Sequence, residues 1–327
     1  MASSRVLLAL SLALLTLTVA SLPGTPTALS TSYYNKRCAS LQPAVRSAMA
    51  RAVASDPTTA AAVLRLFFHD CFVNGCDASV LLDDDTTTNL IGEKSAFPNA
   101  NSLRGYEAID AIKSAVESAC PATVSCADVL ALAARDAVSL LGGPSWNVRL
   151  GRLDARIASR DAANANLPGP GSSLSSLLDA FQRKGLSARD MTALSGAHTV
   201  GRARCATFRG RAGGGANGSG GEVINATYAA ELRGACGGGD GAVAPLDVAT
   251  PDAFDNGYFR ALMERRGLLH SDQELFNGGS QDALVRKYAR DGAAFAGDFA
   301  KAMVRMGNLA PAPGTPLEVR KYCRRPN

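Results

Sequence analysis

The sequence predicts a mainly α-helical, exported protein, and three observations carry that expectation. Apolar residues recur at three- and four-residue spacing through most of the chain, strand alternation is scarce, and an N-terminal apolar run precedes eight cysteines. With 327 residues, 46% of them hydrophobic, the chain can bury a full core.

The elements follow in chain order. Residues 1–28 open with "MASSRVLLALSLALLTLTVA", in which Arg5 precedes an apolar run diluted by Ser and Thr. That run is shorter than the ~20 residues a membrane helix needs, so it reads as a signal peptide cleaved between about residues 20 and 30. Residues 29–327 are expected to form one domain, with no later stretch that could span a bilayer. Asp56-Pro57 predicts a helix start with proline at the first helical position, the helix running to about Asp70. Tyr106, Ile109, Ile112 and Val116 mark a helix within 103–119. Ser125 can cap "CADVLALAARDAVSLLGGP", which Gly142, Gly143 and Pro144 terminate. Ser187 and Asp190 fit a capping box for "MTALSGAHTVGRA", and helical patterns return over 254–266, 280–290 and 292–306. The glycine-rich stretch 210–222 predicts a surface loop.

The eight cysteines are Cys38, Cys71, Cys76, Cys120, Cys126, Cys205, Cys236 and Cys323. An even count in an exported chain implies disulfides, with 105 pairings open in principle. No repeated CxxC pair or histidine at ligand spacing supports zinc. Two sequons, at Asn217 and Asn225, are glycosylation acceptors in that compartment. The net charge of +5 is spread without a basic block interleaved with aromatics, which argues against nucleic-acid binding.

Three groups of residues point to chemistry. In "LRLFFHDCFVNGCDAS", Arg65 and His69 stand at i and i+4 and share a helix face beside Thr58, Ala61 and Ala62, backed by phenylalanines. A fixed cation there depresses the proton affinity of His69 and leaves a neutral imidazole to act as a base, while the cation stabilises charge developing on an oxygen. In "ALSGAHTVG", Met191, Leu194 and His198 share a helical face, and Gly196 and Ala197 leave room for a flat group. Asp70, Asp77 and Ser79, with the carbonyls of Val73 and Gly75, offer the hard oxygens calcium prefers, and Asp247, Thr250 and Asp255 form a second such set. His270 is read as incidental.

With these residues in view, the chain resembles the secreted plant (class III) haem peroxidases. "RLFFHDCFVNGCDASVLLDD", "EKSAFPNANSLRGYE", "ACPATVSCADVLALAARDAV", "GGPSWNVRLGRLD", "LSGAHTVGRARC", "TPDAFDNGYF", "LLHSDQELF" and "MVRMGNL" match that family in order, from about 33 to 323. The resemblance implies a haem-peroxidase fold, two helical lobes (distal and proximal) around one haem b. It implies an enzyme that reduces hydrogen peroxide and oxidises small phenolic donors by one-electron steps.

Residue by residue, it implies that His198 is the axial iron ligand with Asp272 as the partner of its other ring nitrogen. His69 would be the distal base, Arg65 the charge-stabilising cation, Asn99 the acceptor that fixes the His69 tautomer, and Phe68 a wall of the pocket. A distal calcium ion would take Asp70, Val73, Gly75, Asp77 and Ser79, with Glu93 reaching it through water. A proximal calcium ion would take Thr199, Asp247, Thr250, Ala253 and Asp255. The implied disulfides are Cys38–Cys120, Cys71–Cys76, Cys126–Cys323 and Cys205–Cys236. Asp128 and Arg152 match a buried structural ion pair. Pro168 matches a proline that binds aromatic donors, whereas "ATFRGRAGGG" after Cys205 lacks the family's usual aromatic and aliphatic pattern, so donor choice is not implied.

The family default is a monomer with neither nucleic-acid nor membrane partners, and the sequence ending at Asn327 points to the cell wall or apoplast. The alternative is a non-catalytic, calcium-stabilised cell-wall protein on the same fold. A thiol hydrolase using Cys71 beside His69 is disfavoured, because Cys71 is expected to be oxidised.

Overall fold

The computed structural model describes residues 28–213 and 224–327. The expected signal peptide, the Asn217 sequon and most of the glycine-rich stretch lie outside the described residues.

Thirteen α-helical segments dominate the described residues, with only two short two-stranded ladders. In the first lobe, helix Thr58–Asn74 packs across helix Cys126–Leu140, and Leu41–Ser55 lies against both Cys126–Leu140 and Tyr106–Ala119. Cys126–Leu140 is apolar nearly all round and is buried along most of its length, as a central helix must be. Its start is built as expected: the Ser125 side chain accepts from the Asp128 amide. In the second lobe, Gly292–Gly307 packs on Ala188–Ser195, and Gly257–Met263 on Asp282–Arg290. The Ser187–Asp190 capping box is present.

One detail differs from the sequence expectation. The second helix, Thr58–Asn74, opens as expected, with Asp56 extended and its carboxylate accepting from the Thr58 amide (2.9 Å) while Pro57 already has helical dihedrals (φ −57°, ψ −27°). It continues past Asp70 to Asn74, since nothing polar competes for its backbone until Gly75, whose φ of +92° ends it. Gly75 is there for space as well as conformation. A Cβ would lie 2.4 Å from the Ala310 carbonyl carbon.

One apolar core runs through both lobes, and a smaller cluster surrounds Cys205 and Cys236. The structure pairs Cys38 with Cys120, Cys71 with Cys76, Cys126 with Cys323 and Cys205 with Cys236. By loop entropy the 197-residue separation of Cys126 and Cys323 constrains the unfolded chain by about 5 kcal/mol, and the five-residue Cys71–Cys76 loop by about 2 kcal/mol. The Asp128–Arg152 pair is buried at 2.8 Å, and Tyr34 and the Gly151 amide also donate to Asp128, so its charge is compensated. Among the described residues no helix is long and apolar enough to cross a membrane.

The tail of the chain returns to the first lobe. Strand Leu317–Glu318 pairs antiparallel with Asp154–Ala155, and the Asp83 amide donates to the Arg324 carbonyl. Fully buried Arg320 donates to the Ala78 carbonyl.

Candidate active site

Arg65 and His69 lie one turn apart on helix Thr58–Asn74, so the helix fixes their spacing and the loop that follows residue 92 fixes their orientation. His69 is buried, and its Nδ1 lies 2.6 Å from Asn99 Oδ1. The Asn99 amide is itself oriented, because its Nδ2 donates to the Glu93 carbonyl at 2.8 Å. An amide oxygen can only accept, so His69 Nδ1 carries the proton and Nε2 is left as the acceptor. Burial pushes the His69 imidazole well below its usual value, and the Arg65 charge adds to this against the Asn99 bond.

The Arg65 guanidinium donates to the Ser102 carbonyl (3.0 Å), the Pro98 carbonyl (3.0 Å) and Ser102 Oγ (3.1 Å). Desolvation lowers its pKa to about 10, which still leaves it cationic at neutral pH. One loop therefore aims the cation and sets the tautomer of the base. Phe68, half-buried, stands edge-on to His69 (5.8 Å) and stacks on Phe72 (4.8 Å), while Phe67 is in the core. Water is thereby kept from one side of the pair.

His198 lies in the second lobe. The expected helix through it ends at Ser195, and His198 is carried on a 3-10 turn, Gly196–Thr199. Gly196 does not leave room for a flat group. A Cβ there would lie 2.4 Å from Phe295 and 2.8 Å from Phe259, so the glycine lets the turn press onto the aromatic core. His198 Nδ1 meets Asp272 Oδ1 at 2.7 Å. The same oxygen accepts from Tyr258 OH (3.0 Å), and Asp272 Oδ2 accepts from the Leu269 amide (3.0 Å). The His198 side chain is 38% exposed and its carboxylate partner 3%, so the ring is held from behind while its front stays open. Nε2 has no partner among the described residues and is free to bind a metal. The lobes meet close by: a Cβ on Gly201 would touch the Ala61 Cβ at 3.1 Å.

The expected cation ligands differ in how well their polar atoms are satisfied. In the first lobe Asp70 Oδ2 accepts from the Ala78 amide and Asp77 Oδ1 from the Ser79 amide, both at 3.0 Å. Asp70 Oδ1, Ser79 Oγ and Glu93 Oε2 are buried with no partner. Burial pushes the Asp70 carboxyl well above the carboxylate range, with Asp77 and Glu93 adding to it, and raises Asp77 to about 6 and Glu93 to about 7. The Val73 carbonyl accepts from Lys184 Nζ at 2.8 Å.

In the second lobe Thr199 Oγ1 reaches Asp255 Oδ1 (3.2 Å) and Asp247 Oδ2 (3.4 Å), and Thr250 Oγ1 reaches Asp255 Oδ2 (2.9 Å). Ala253 closes a turn onto the Thr250 carbonyl. Gly257 is required, since a Cβ would lie 2.2 Å from Asp247 Oδ2. Among the described residues no group of three His, Cys, Asp or Glu side chains converges as a metal centre, so either set would depend on hydroxyls and carbonyls.

Pro168 follows helix Arg160–Asn166, and the Pro170 carbonyl accepts from the Ser271 amide, next to Asp272. Asn164 Oδ1 accepts from the Phe97 amide, so Pro168 is tied at one remove to both histidine-bearing regions. His270 Nε2 lies 3.9 Å from Glu274 Oε1. Sequence reading missed Tyr258, Ser102, Lys184 and Arg320. Their partners lie between 14 and 242 residues away, and no local pattern marks them.

The peroxidase family profile matches residues 45–291. Peroxidase P7 of Brassica rapa subsp. rapa is 52% identical over 303 residues, 91% of this chain and 100% of that protein. Peroxidase 68 of Arabidopsis thaliana is 53% identical over 304 residues, 91% of each chain. Peroxidase 70 of Zea mays is 50% identical over 303 residues, 91% of this chain and 92% of that one.

Proposed function

The chain belongs to the plant (class III) peroxidase family, and on that premise we propose the roles of its residues, its two calcium sites and its destination. It is a secreted haem peroxidase, a hydrogen-peroxide-dependent oxidoreductase acting on electron donors. One observation carries the assignment of roles. Both His69 and His198 have Nδ1 anchored to a side-chain oxygen, at 2.6 and 2.7 Å, leaving both Nε2 atoms free.

The residues present fit a haem. His198 offers an open Nε2 backed by a buried carboxylate, and His69 with Arg65 offers a base and a cation beside an aromatic wall. When bound, haem b supplies the iron that exchanges electrons with peroxide and donor. His198 holds the iron, and Asp272 lends it negative charge through Nδ1. His69 Nε2 takes the proton from the near oxygen of hydrogen peroxide and returns it to the departing oxygen, so that water leaves. Arg65 stabilises the charge that develops as the O–O bond breaks. Asn99 keeps the His69 acceptor in place throughout.

Asp70, Asp77 and Ser79, with the Val73 and Gly75 carbonyls and Glu93 through water, hold one calcium ion; the unpartnered oxygens of Asp70, Ser79 and Glu93 support this. Thr199, Asp247, Thr250, Ala253 and Asp255 hold a second. Each ion adjoins a functional histidine along the chain, His69–Asp70 and His198–Thr199. Small phenolic donors react at the side where Pro168 lies. The protein acts as a monomer in the wall or apoplast. Asn217 and Asn225 are the glycan acceptors, and at Asn225 a glycan on Nδ2 would leave Oδ1 to accept from the Tyr228 amide.

The test is an absorption spectrum before and after one equivalent of hydrogen peroxide. A Soret band that falls and then recovers when a phenol is added is expected. A band indifferent to peroxide overturns the roles of His69 and Arg65, and no band after haem and calcium are supplied favours the non-catalytic wall protein.

A further inference from the structure

Asp272 Oδ1 is shared. His198 Nδ1 approaches it to 2.7 Å and Tyr258 OH to 3.0 Å, and Asp272 Oδ2 is taken by the Leu269 amide. Tyr258 is 1% exposed and stands edge-on to the His198 ring, with centroids 6.1 Å apart and planes at 85°. Its hydroxyl has no other partner among the described residues, and its ring is packed against Phe259. A phenol in that position has two separable parts, a ring that fills the core and a hydroxyl that draws on a carboxylate.

We propose that Tyr258 is a positioning residue that sets how strongly Asp272 polarises His198. Two donors on one oxygen divide its negative charge. Each weakens the acceptor for the other, because the lone pairs of a single oxygen polarise together in a low-dielectric interior. With Tyr258 OH bound, the imidazole keeps more of its Nδ1 proton and is a weaker donor through Nε2. Without it, Asp272 pulls harder on that proton and the imidazole gains anionic character. The chain thus holds two opposed inputs on one ligand, a carboxylate that enriches it and a phenol that moderates the carboxylate. This inference rests on reading His198 as the iron ligand.

Tyr258→Phe removes the hydroxyl and keeps the ring. In the haem-loaded protein it is expected to lower the ferric–ferrous midpoint potential, and in the ferrous protein to move the iron–histidine stretching band to higher frequency. Tyr288→Phe is the control. Tyr288 belongs to the same aromatic cluster, but its hydroxyl donates to Asp298, so both readings are expected to stay put. If the two variants shift alike, the effect is packing and the inference fails. An unmoved band and midpoint in Tyr258→Phe overturn it as well. If Tyr258→Phe does not take up haem, 3-fluorotyrosine incorporated throughout the unmodified chain provides a stronger phenol donor and is expected to raise the midpoint. No rise refutes the proposal. An iron–histidine band absent from the unmodified protein would overturn the ligand assignment itself, whereas a band present but unmoved overturns only the role of Tyr258.

Discussion

The Nδ1 atoms of His69 and His198 meet side-chain oxygens at nearly the same distance, 2.6 and 2.7 Å, but one oxygen belongs to a neutral amide and the other to a carboxylate. Asn99 fixes a tautomer and adds no charge, so with burial and Arg65 beside it His69 stays a neutral acceptor. Asp272 fixes a tautomer and adds a negative charge, which suits the role proposed for His198, giving electron density to a metal. The cation sets differ in a parallel way. Around Asp70, Ser79 and Glu93 polar atoms are buried without partners, whereas around Asp247 and Asp255 two threonine hydroxyls occupy the carboxylates. Identical hydrogen-bond geometry therefore says little about function until the charge of the partner is counted.

The comparison can be broken most severely at His69. His69→Ala removes the acceptor and leaves the second lobe intact, so the rate constant of the peroxide reaction should fall by roughly 10²–10⁴-fold with the Soret band retained, as stopped-flow absorption would read. A fall of less than tenfold would place the base elsewhere.

Exchanging the partner is the sharper test. Asn99→Asp gives His69 the kind of partner His198 has. The native imidazole is held well below its usual value, so it stays deprotonated through mildly acidic pH, and the rate drops only as pH falls through that low pKa. A carboxylate raises that pKa and moves the acid limb upward, costing about tenfold at acidic pH for each unit of rise. An acid limb that does not move would mean that partner charge does not set the state of His69.

Chelation of calcium separates the two cation sets. With the ion removed, Asp77 and Glu93 have folded pKa values of about 6 and about 7, above their unfolded values. Between about pH 4 and 7 the folded state then binds more protons, so the chelated protein should lose stability as pH rises through that window. Calcium should abolish the slope. Melting curves with and without chelator would show it, and parallel pH profiles would sink the first-lobe site.

The smallest effect is expected at Ser102. Ser102→Ala removes one of three acceptors for Arg65 and leaves the Pro98 and Ser102 carbonyls, so the loss should be about 1 kcal/mol, less than tenfold in the peroxide rate.

What the sequence made legible was what local periodicity controls. Arg65 and His69 fall on one helix face because i, i+4 spacing suffices, and the Ser125 and Ser187 caps lie beside the amides they bind. His198 was harder. Its place on a 3-10 turn depends on Phe295, a neighbour about a hundred residues away that occupies the space a Cβ on Gly196 would need. Tyr258 and Ser102 act through contacts that no spacing announces, and ladders of two and three residues are too short to show alternation.

The return of the chain end to the first lobe has a consequence for biogenesis. Leu317–Glu318, Arg320 and Cys323 complete contacts with Asp154–Ala155, Ala78 and Cys126. A nascent chain emerging N-terminus first therefore carries an unfinished first lobe until Cys323 has cleared the ribosome. The carboxylates around Asp70 wait in that interval without Arg320, whose charge eases their burial. The half of the molecule that is made first is the half that matures last.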